Sequence, residues 1–292
     1  MSLFLSVLEQ GLIYAILALG VYITFKILDF PDMSVDATFP LGAAVTALMI
    51  EKGFSPLLTL PVSVCCGALA GAITGVIHVK LHVRDLLSGI IMMTGLYSVN
   101  LHIAGRANVQ LFTFHTLFKN PAVSALPFDV QMYVPVVILA LLVLLVKFLL
   151  DAYLSTRSGY LLRATGDNPT LVASLAKDSG NVKILGLAIA NGLVALSGSV
   201  MCQYQRYFDI SMGTGTLVLA VASVIVGAQL LRGMKFLGAT ACVVLGSILY
   251  KGCVALALSM GLSPFDLKLV TAALLLVIIV AGGHRKKVKR HA

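Results

Sequence analysis

Long apolar runs constrain this chain more than anything else in it. "YVPVVILALLVLLVKFLL", from Tyr133, interrupts its aliphatic side chains with one lysine, and comparable runs recur along the sequence. A helix needs roughly 20 predominantly apolar residues to cross a bilayer. Lipid offers the backbone no hydrogen-bond partner, so such runs must be helices that satisfy their own peptide groups. The composition agrees: 59% of the 292 residues are hydrophobic and 11% charged, with a mean hydropathy of +1.00. Soluble domains carry about 25% charged residues. The fold class read here is therefore an all-α polytopic membrane protein, one transmembrane domain over residues 1–292.

Nine spans are expected: 5–28, a short 38–52, 57–79, 86–104, 131–151, 183–205, 213–231, 236–258 and 266–282. With the basic run "HRKKVKRHA" placed in the cytoplasm, 15 of the 21 Lys and Arg fall on the inner side. That bias is the positive-inside pattern. It puts the N-terminus outside and the C-terminus in the cytoplasm, and reads the net charge of +9 as a topology signal rather than a nucleic-acid patch. The N-terminal "MSLFLSVLEQ" has no basic region ahead of its apolar run, so no cleaved signal peptide is expected.

The five cysteines lie in apolar stretches, none at metal-ligand spacing, and predict neither a disulfide framework nor a metal site. In "GALAGAITG", Gly67, Gly71 and Gly75 share one helix face. Glycine there lets helices approach closely, which supplies the dispersion contacts that hold bundles together in lipid.

Polar residues inside this apolar frame mark candidate sites. "FPDMSVDATF" places Asp32 and Asp36 between two apolar runs. Pro31 lacks a backbone donor and should end the helix, and Ser34 or Asp36 could cap the next one. The segment is either an ordinary turn or an unwound stretch facing a protein-lined cavity. Asp209-Ile210-Ser211 echoes Asp32-Met33-Ser34, each after a long span and before a shorter one. The expected ends are opposite, the relation of inverted repeats with broken helices along a solute route. The substrate-pathway candidates are Asp32, Ser34, Asp36, Asn100, Asn191, Ser197, Asp209 and Ser211. No residue is expected to be catalytic.

The stretch 155–182 is the longest mixed segment on the inner side. Asn168-Pro169 reads as a helix start and Gly180 as a stop, enclosing a helix too short to span, with Leu171, Val172 and Leu175 in need of a partner. Flanked by Arg157 and Arg163, it looks built for docking.

Arg157, Gly159, Arg163-Ala164, Asp167-Asn168-Pro169, Ala173 and Gly180, followed by "LGLAIANGLVALSGSV", resemble the cytoplasmic segment and next span of ABC importer permeases of the branched-chain amino acid type. "GLIYAILALGVYITFKILDFPDMSVDATFPLGAAVTALMI" resembles their opening spans, and "DFPDMSVDATFPLG" a subgroup linked to uptake of aromatic amino acids such as tryptophan and tyrosine. The resemblance covers roughly Leu5 to Gly282. Where branched-chain permeases commonly read Asn-Phe-Ala-His-Gly, this chain has Asp29-Phe30-Pro31-Asp32-Met33, which points away from a branched-chain substrate.

The resemblance implies a bacterial inner-membrane permease working by alternating access. Its implied partners are a second permease copy, ABC ATPase subunits and an extracytoplasmic binding protein. Arg157, Arg163, Asp167, Asn168, Pro169, Leu171, Val172 and Leu175 would form the ATPase coupling segment. No Walker A pattern occurs, since "GAQLLRGMK" has the wrong spacing, so ATP and Mg²⁺ are expected on the partner and no cofactor in this chain. The other reading is a secondary transporter in which Asp32, Asp36 and Asp209 carry protons or sodium. Within the ABC reading, a nucleoside or sugar remains open beside an amino acid.

Overall fold

The computed structural model describes residues 2–125, 127–168, 172, 179–230, 238–259, 269, 271–273 and 276. Helix α1 (Ser2–Val21) runs on into a π-helical stretch, Tyr22–Ile27, then breaks. After the break come α2 (Val35–Glu51), α3 (Pro56–Lys80) and α4 (Asp85–Ala104). A loop carrying β1 (Asn108–Gln110) and two single-turn helices, α5 (Pro121–Ser124) and α6 (Phe128–Gln131), leads to α7 (Val134–Leu154). Then follow α8 (Arg157–Asp167), α9 (Ser179–Gln205), β2 (Tyr207–Asp209), a 3-10 turn (Ile210–Gly213), α10 (Thr216–Leu230) and α11 (Ala239–Ser259).

Seven of the described helical stretches are long and apolar enough to cross a membrane. Of the nine expected spans, the short one is α2, whose 17 residues fall below the usual spanning length. The last, 266–282, lies almost wholly outside the described residues, as does the basic tail.

Helices α1, α2 and α9 form the centre. From Gly11 to Val21, helix α1 is apolar all round and buried on every side, as such a stretch must be. Around it pack α7, α9, α10 and α11, while α9 packs against α1, α2 and α3. The α3–α9 contact is close because of the glycine face: a Cβ on Gly67 would strike the Asn191 carbonyl oxygen, one on Gly71 that of Leu187, and one on Gly75 the Ile184 Cα. The α1–α9 contact is reciprocal. A Cβ on Gly20 would meet the Ala190 carbonyl oxygen, and Ser197 donates its hydroxyl proton to the Ile13 carbonyl oxygen at 2.8 Å. Adding 177 to 20 and 13 gives 197 and 190, the same interval that separates Asp32 from Asp209. A local two-fold relation between α1 and α9 accounts for that.

Two strands lie among the described residues. β1 pairs antiparallel with β2, Asn108 opposite Asp209 and Val109 opposite Phe208. Val109, Leu111 and Phe208 are fully buried and close over the last turns of α2 at Ala43, Ala44, Ala47 and Ile50. The loop after α4 is thereby tied to the loop after α9.

Two local expectations need correction. Gly180 stops no helix: it lies inside α9, among the helical residues that begin at Ser179. The short helix expected after Asn168-Pro169 lies almost wholly outside the described residues; ahead of it the segment carries an eleven-residue helix, α8, started by Thr156, whose hydroxyl accepts from the Gly159 amide at 3.3 Å. Neither Ser34 nor Asp36 caps α2, which has no side-chain cap; their oxygens are engaged elsewhere.

Candidate functional site

The polar side chains converge on the two breaks. After the π-helical stretch, Asp29 adopts a left-handed backbone (φ 52°) and turns the chain back toward the bundle. Three residues later Asp32 closes a tight turn, its Oδ1 accepting from the Ser34 amide at 2.9 Å and the Ser34 hydroxyl at 2.6 Å. Its Oδ2 accepts from Asn191 Nδ2 at 2.8 Å. The second N–H of that amide is spent on the Leu187 carbonyl, one turn back in α9. Asp32 is 1% exposed, and Ser34 and Asn191 are fully buried. Asn191 is one residue short of the centre of the 27-residue α9, which sets Asp32 deep among the helices rather than in a surface turn.

Asp36 stands one turn further on. Its carboxylate faces the start of α10, accepting from the Gly215 amide at 3.1 Å, the Leu217 amide at 2.8 Å and the Thr216 hydroxyl at 3.1 Å. The acidic group thus caps a helix that begins 180 residues later, where free amides and the helix dipole both favour negative charge. A Cβ on Gly213 would strike the Asp36 carbonyl oxygen, so the N-termini of α2 and α10 meet nearly head to head.

The second break repeats the first. Arg206 is left-handed (φ 62°), and Asp209 follows three residues on. Asp209 Oδ1 accepts from the Ser211 amide at 2.8 Å and from the Ser211 hydroxyl, and its Oδ2 accepts from Asn108 Nδ2 at 3.2 Å. Here the motif is exposed, and the Ser211 hydroxyl, aided by its amide, holds the Asp209 carboxyl below the usual carboxylate range.

The remaining pathway candidates are buried structural contacts within one chain. Asn100 donates Nδ2 to the Ala37 carbonyl at 2.9 Å, joining α4 to α2, and its Oδ1 is buried with no partner among the described residues. Ser197 joins α9 to α1. The structure therefore gathers Asp32, Ser34 and Asn191 into one network, places Asp36 beside it, and leaves Asp209 and Ser211 at the β-sheet end.

Of the coupling candidates, Arg157, Arg163 and Asp167 are on α8 and Asn168 ends it. Pro169, Leu171 and Leu175 lie outside the described residues, while Val172 is buried, its amide 3.4 Å from the Asn168 carbonyl. Beside α8 opens a cleft of about 370 Å³, lined by Phe25, Lys26, Ile27, Asp29, Gly166 and Asp167.

Gln203 and Glu9 are buried polar groups outside the candidates drawn from the sequence. Gln203 ties α9 to the start of α3, donating Nε2 to Thr59 Oγ1 at 2.9 Å and accepting from the Leu117 amide at 3.1 Å. Glu9 accepts from the Tyr204 hydroxyl at 2.6 Å. A lone carboxylate in the first apolar run is the local signal for Glu9; nothing local distinguishes Gln203.

The family described as the permease component of branched-chain amino acid transport systems matches residues 3–280. A tyrosine transport system permease protein of Clostridioides difficile is 42% identical over 99% of this chain and 95% of its own length. An uncharacterized protein of Rickettsia prowazekii is 32% identical over 94% of this chain and 96% of its own. A ribose import permease protein of Haemophilus influenzae is 25% identical over 79% of this chain and 70% of its own. With the whole helical bundle and both breaks inside the matched residues, the chain belongs to the branched-chain amino acid transport permease family and is a multi-pass membrane permease component of a transport system.

Proposed function

We propose that this permease is the membrane-spanning half of an ATP-driven importer for an aromatic amino acid, tyrosine foremost. The observation that carries the substrate is the 42% identity, spread over 99% of the chain, to a tyrosine transport permease. Sugar permeases match at 25% or less over shorter stretches and support the importer architecture rather than the solute.

In this reading two permease copies share one solute route in a bacterial cytoplasmic membrane, the α8 end facing the cytoplasm and the N-terminus outside. ATP and Mg²⁺ are held by separate ATPase subunits. The segment 155–182 receives them, with Arg157, Arg163, Asp167, Asn168, Pro169, Leu171, Val172 and Leu175 at the contact and the cleft beside α8 next to it. An extracytoplasmic binding protein delivers the solute at the β-sheet end. The break residues Asp32, Ser34, Asp36, Asn191, Asp209 and Ser211, with Asn100 and Ser197, hold the mobile helix ends of the route. A ligand shifts such an equilibrium only through its different affinities for the two states.

The test is uptake of labelled tyrosine into vesicles carrying the permease with its ATPase and binding protein. Uptake should require ATP inside and survive collapse of proton and sodium gradients. Gradient-driven uptake without an ATPase would overturn the reading in favour of secondary transport. Replacing Asn168 and Pro169 by Gly should cut both transport and solute-stimulated ATP hydrolysis; unchanged coupling would remove the docking role from that segment.

A further inference from the structure

Two helices, α4 and α7, turn most of their surface away from the rest of the chain, and their outward faces differ. On α7 the strongly exposed side chains are aliphatic or aromatic, with Leu141, Leu145, Phe148 and Leu149 prominent, and the charged Lys147 and Asp151 are paired with each other at 2.8 Å. That is the composition of a face turned to lipid. On α4 the outward face changes halfway. Leu86, Leu87, Ile90 and Ile91 cover the half nearer α3, while on the half that leads to the sheet Thr94, Gly95, Tyr97, Ser98 and His102 are exposed beside a single strongly exposed aliphatic residue, Val99.

Thr94, Ser98 and His102 recur every fourth residue and so form one stripe along the helix. Thr94 satisfies its hydroxyl on the Ile90 carbonyl, and His102 Nδ1 lies 2.8 Å from the Ser98 carbonyl oxygen. The Tyr97 ring is 52% exposed at the stripe's edge. Gly95 adds an independent observation. A glycine inside a helix costs roughly 1 kcal/mol relative to alanine, and Gly67, Gly71, Gly75 and Gly89 each answer that cost with a close neighbour. A Cβ on Gly95 would meet nothing within 4 Å, so no packing among the described residues explains it. That leaves room for a close neighbour from outside the chain, and the hydroxyls and imidazole on this half of the helix fit a wet wall rather than hydrocarbon.

We infer that the stripe Thr94, Gly95, Tyr97, Ser98 and His102 of α4 is a wall of the solute route, taking a small zwitterion with an aromatic ring, with the apolar half below it as the closure. The solute class rests on the proposed aromatic amino acid importer; the wet wall does not. The stripe offers no fixed formal charge, which suits a solute neutral overall. Tyr97 gives a ring surface, and the open space at Gly95 gives room for a second one.

The test uses single cysteines in the complete transporter, in a background whose five native cysteines are replaced and which still takes up tyrosine. Ser98→Cys and Thr94→Cys should react with a membrane-impermeant methanethiosulfonate, and Leu145→Cys on α7 should not, because a thiol in hydrocarbon does not ionise. Tyrosine at saturating concentration should slow the reaction at least threefold. If Ser98→Cys and Thr94→Cys are as inert as Leu145→Cys, the wall is overturned. It is overturned equally if they are inert but form disulfides between copies, which marks a dry dimer contact. If they react without protection by tyrosine while uptake persists, the wet wall stands and contact with the aromatic solute is overturned. Loss of ATP-driven tyrosine uptake in the parent protein would instead remove the importer reading and leave the labelling result to stand alone. As a second readout, Gly95→Leu should abolish uptake with normal yield of assembled protein; full uptake would contradict close passage at Gly95.

Discussion

The two breaks are built alike and placed differently. Each has a left-handed residue, then an aspartate three positions on, then a serine that gives both amide and hydroxyl to one carboxylate oxygen, while an asparagine serves the other. At the first break the asparagine comes from the middle of α9 and the whole group is buried. At the second it comes from β1 and the group is exposed. The counterpart of Asn191 at the repeat interval of 177 is Tyr14, whose ring lies parallel to that of Phe39 with centroids 6.2 Å apart. The first half of the chain therefore offers Asp209 no amide from α1, and β1 supplies one instead. Equal local wiring thus serves two ends: at the first break it locks a helix interface, at the second it shapes a loop.

The largest separation between them should come from one substitution made twice. Asn191→Leu removes the donor to Asp32 Oδ2 where no water can replace it. An unsatisfied buried acceptor costs about 1–3 kcal/mol, more if charged. Asn108→Leu leaves Asp209 in contact with water and should cost about 0.5 kcal/mol or less. Yield and thermal midpoint of the purified protein in detergent would measure both. Equal losses at the two positions would show that burial is not what distinguishes the breaks.

Next in size is Asp36→Ala. It strips α10 of a carboxylate that serves two amides and a hydroxyl, a capping loss of about 1–2 kcal/mol. Because Asp36 ties the first break to the helix after the second, the damage should appear at α10. Hydrogen exchange should accelerate at the Gly215 and Leu217 amides while Ser34 stays protected by Asp32. Faster exchange at Ser34 with Gly215 unchanged would contradict the cross-cap.

Ser197→Ala probes the reciprocal α1–α9 contact. Hydrogen bonds between membrane helices average about 0.6 kcal/mol, so the midpoint should fall slightly. Gly20→Ser offers the matching position a hydroxyl where the Ala190 carbonyl leaves no room even for a Cβ, and should cost more. If the serine is tolerated as well as Ser197 itself, the two contacts are more symmetric than their backbone spacing indicates.

These comparisons also mark what was legible in the sequence. Pro31 announced the first break, and the Asp-x-Ser echo announced the second, because both signals are local: a missing donor and a side chain that reaches its own backbone two residues on. The glycines of α3 were legible through their spacing. The partners were not. Asn191 is 159 residues from Asp32, and Leu217 is 181 from Asp36. A capping residue reads as belonging to the helix beside it, so Asp36 pointed to α2 when its carboxylate serves α10. Gly180 misled for a related reason: glycine near the end of a polar stretch reads as a stop, yet it lies buried within α9. Ser98 and Asn100 both read as polar groups of a solute route in the sequence; burial alone separates them, two residues apart on opposite faces of one helix.

The smallest effect belongs to the exposed carboxylate, and its sign follows from how it is held. The Ser211 hydroxyl and amide stabilise the charged form of Asp209, so its pKa in the folded chain lies below its unfolded value. A group depressed in this way contributes stability that is fully present above the unfolded value, about 3.9 for aspartate, and lost as pH falls through the folded one. From pH 8 to 5, then, the sheet end should not change. A spin label on the exposed Gln110 of β1, a cysteine variant in the same cysteine-free background, should keep constant mobility over that range and loosen only under about pH 4. A transition between pH 5 and 7 would mean that another group governs this end. If Asp209→Asn moved the label as much at pH 7 as acid does, the charge rather than the turn would be what holds β2 against β1, and the second break would depend on its carboxylate as strictly as the first.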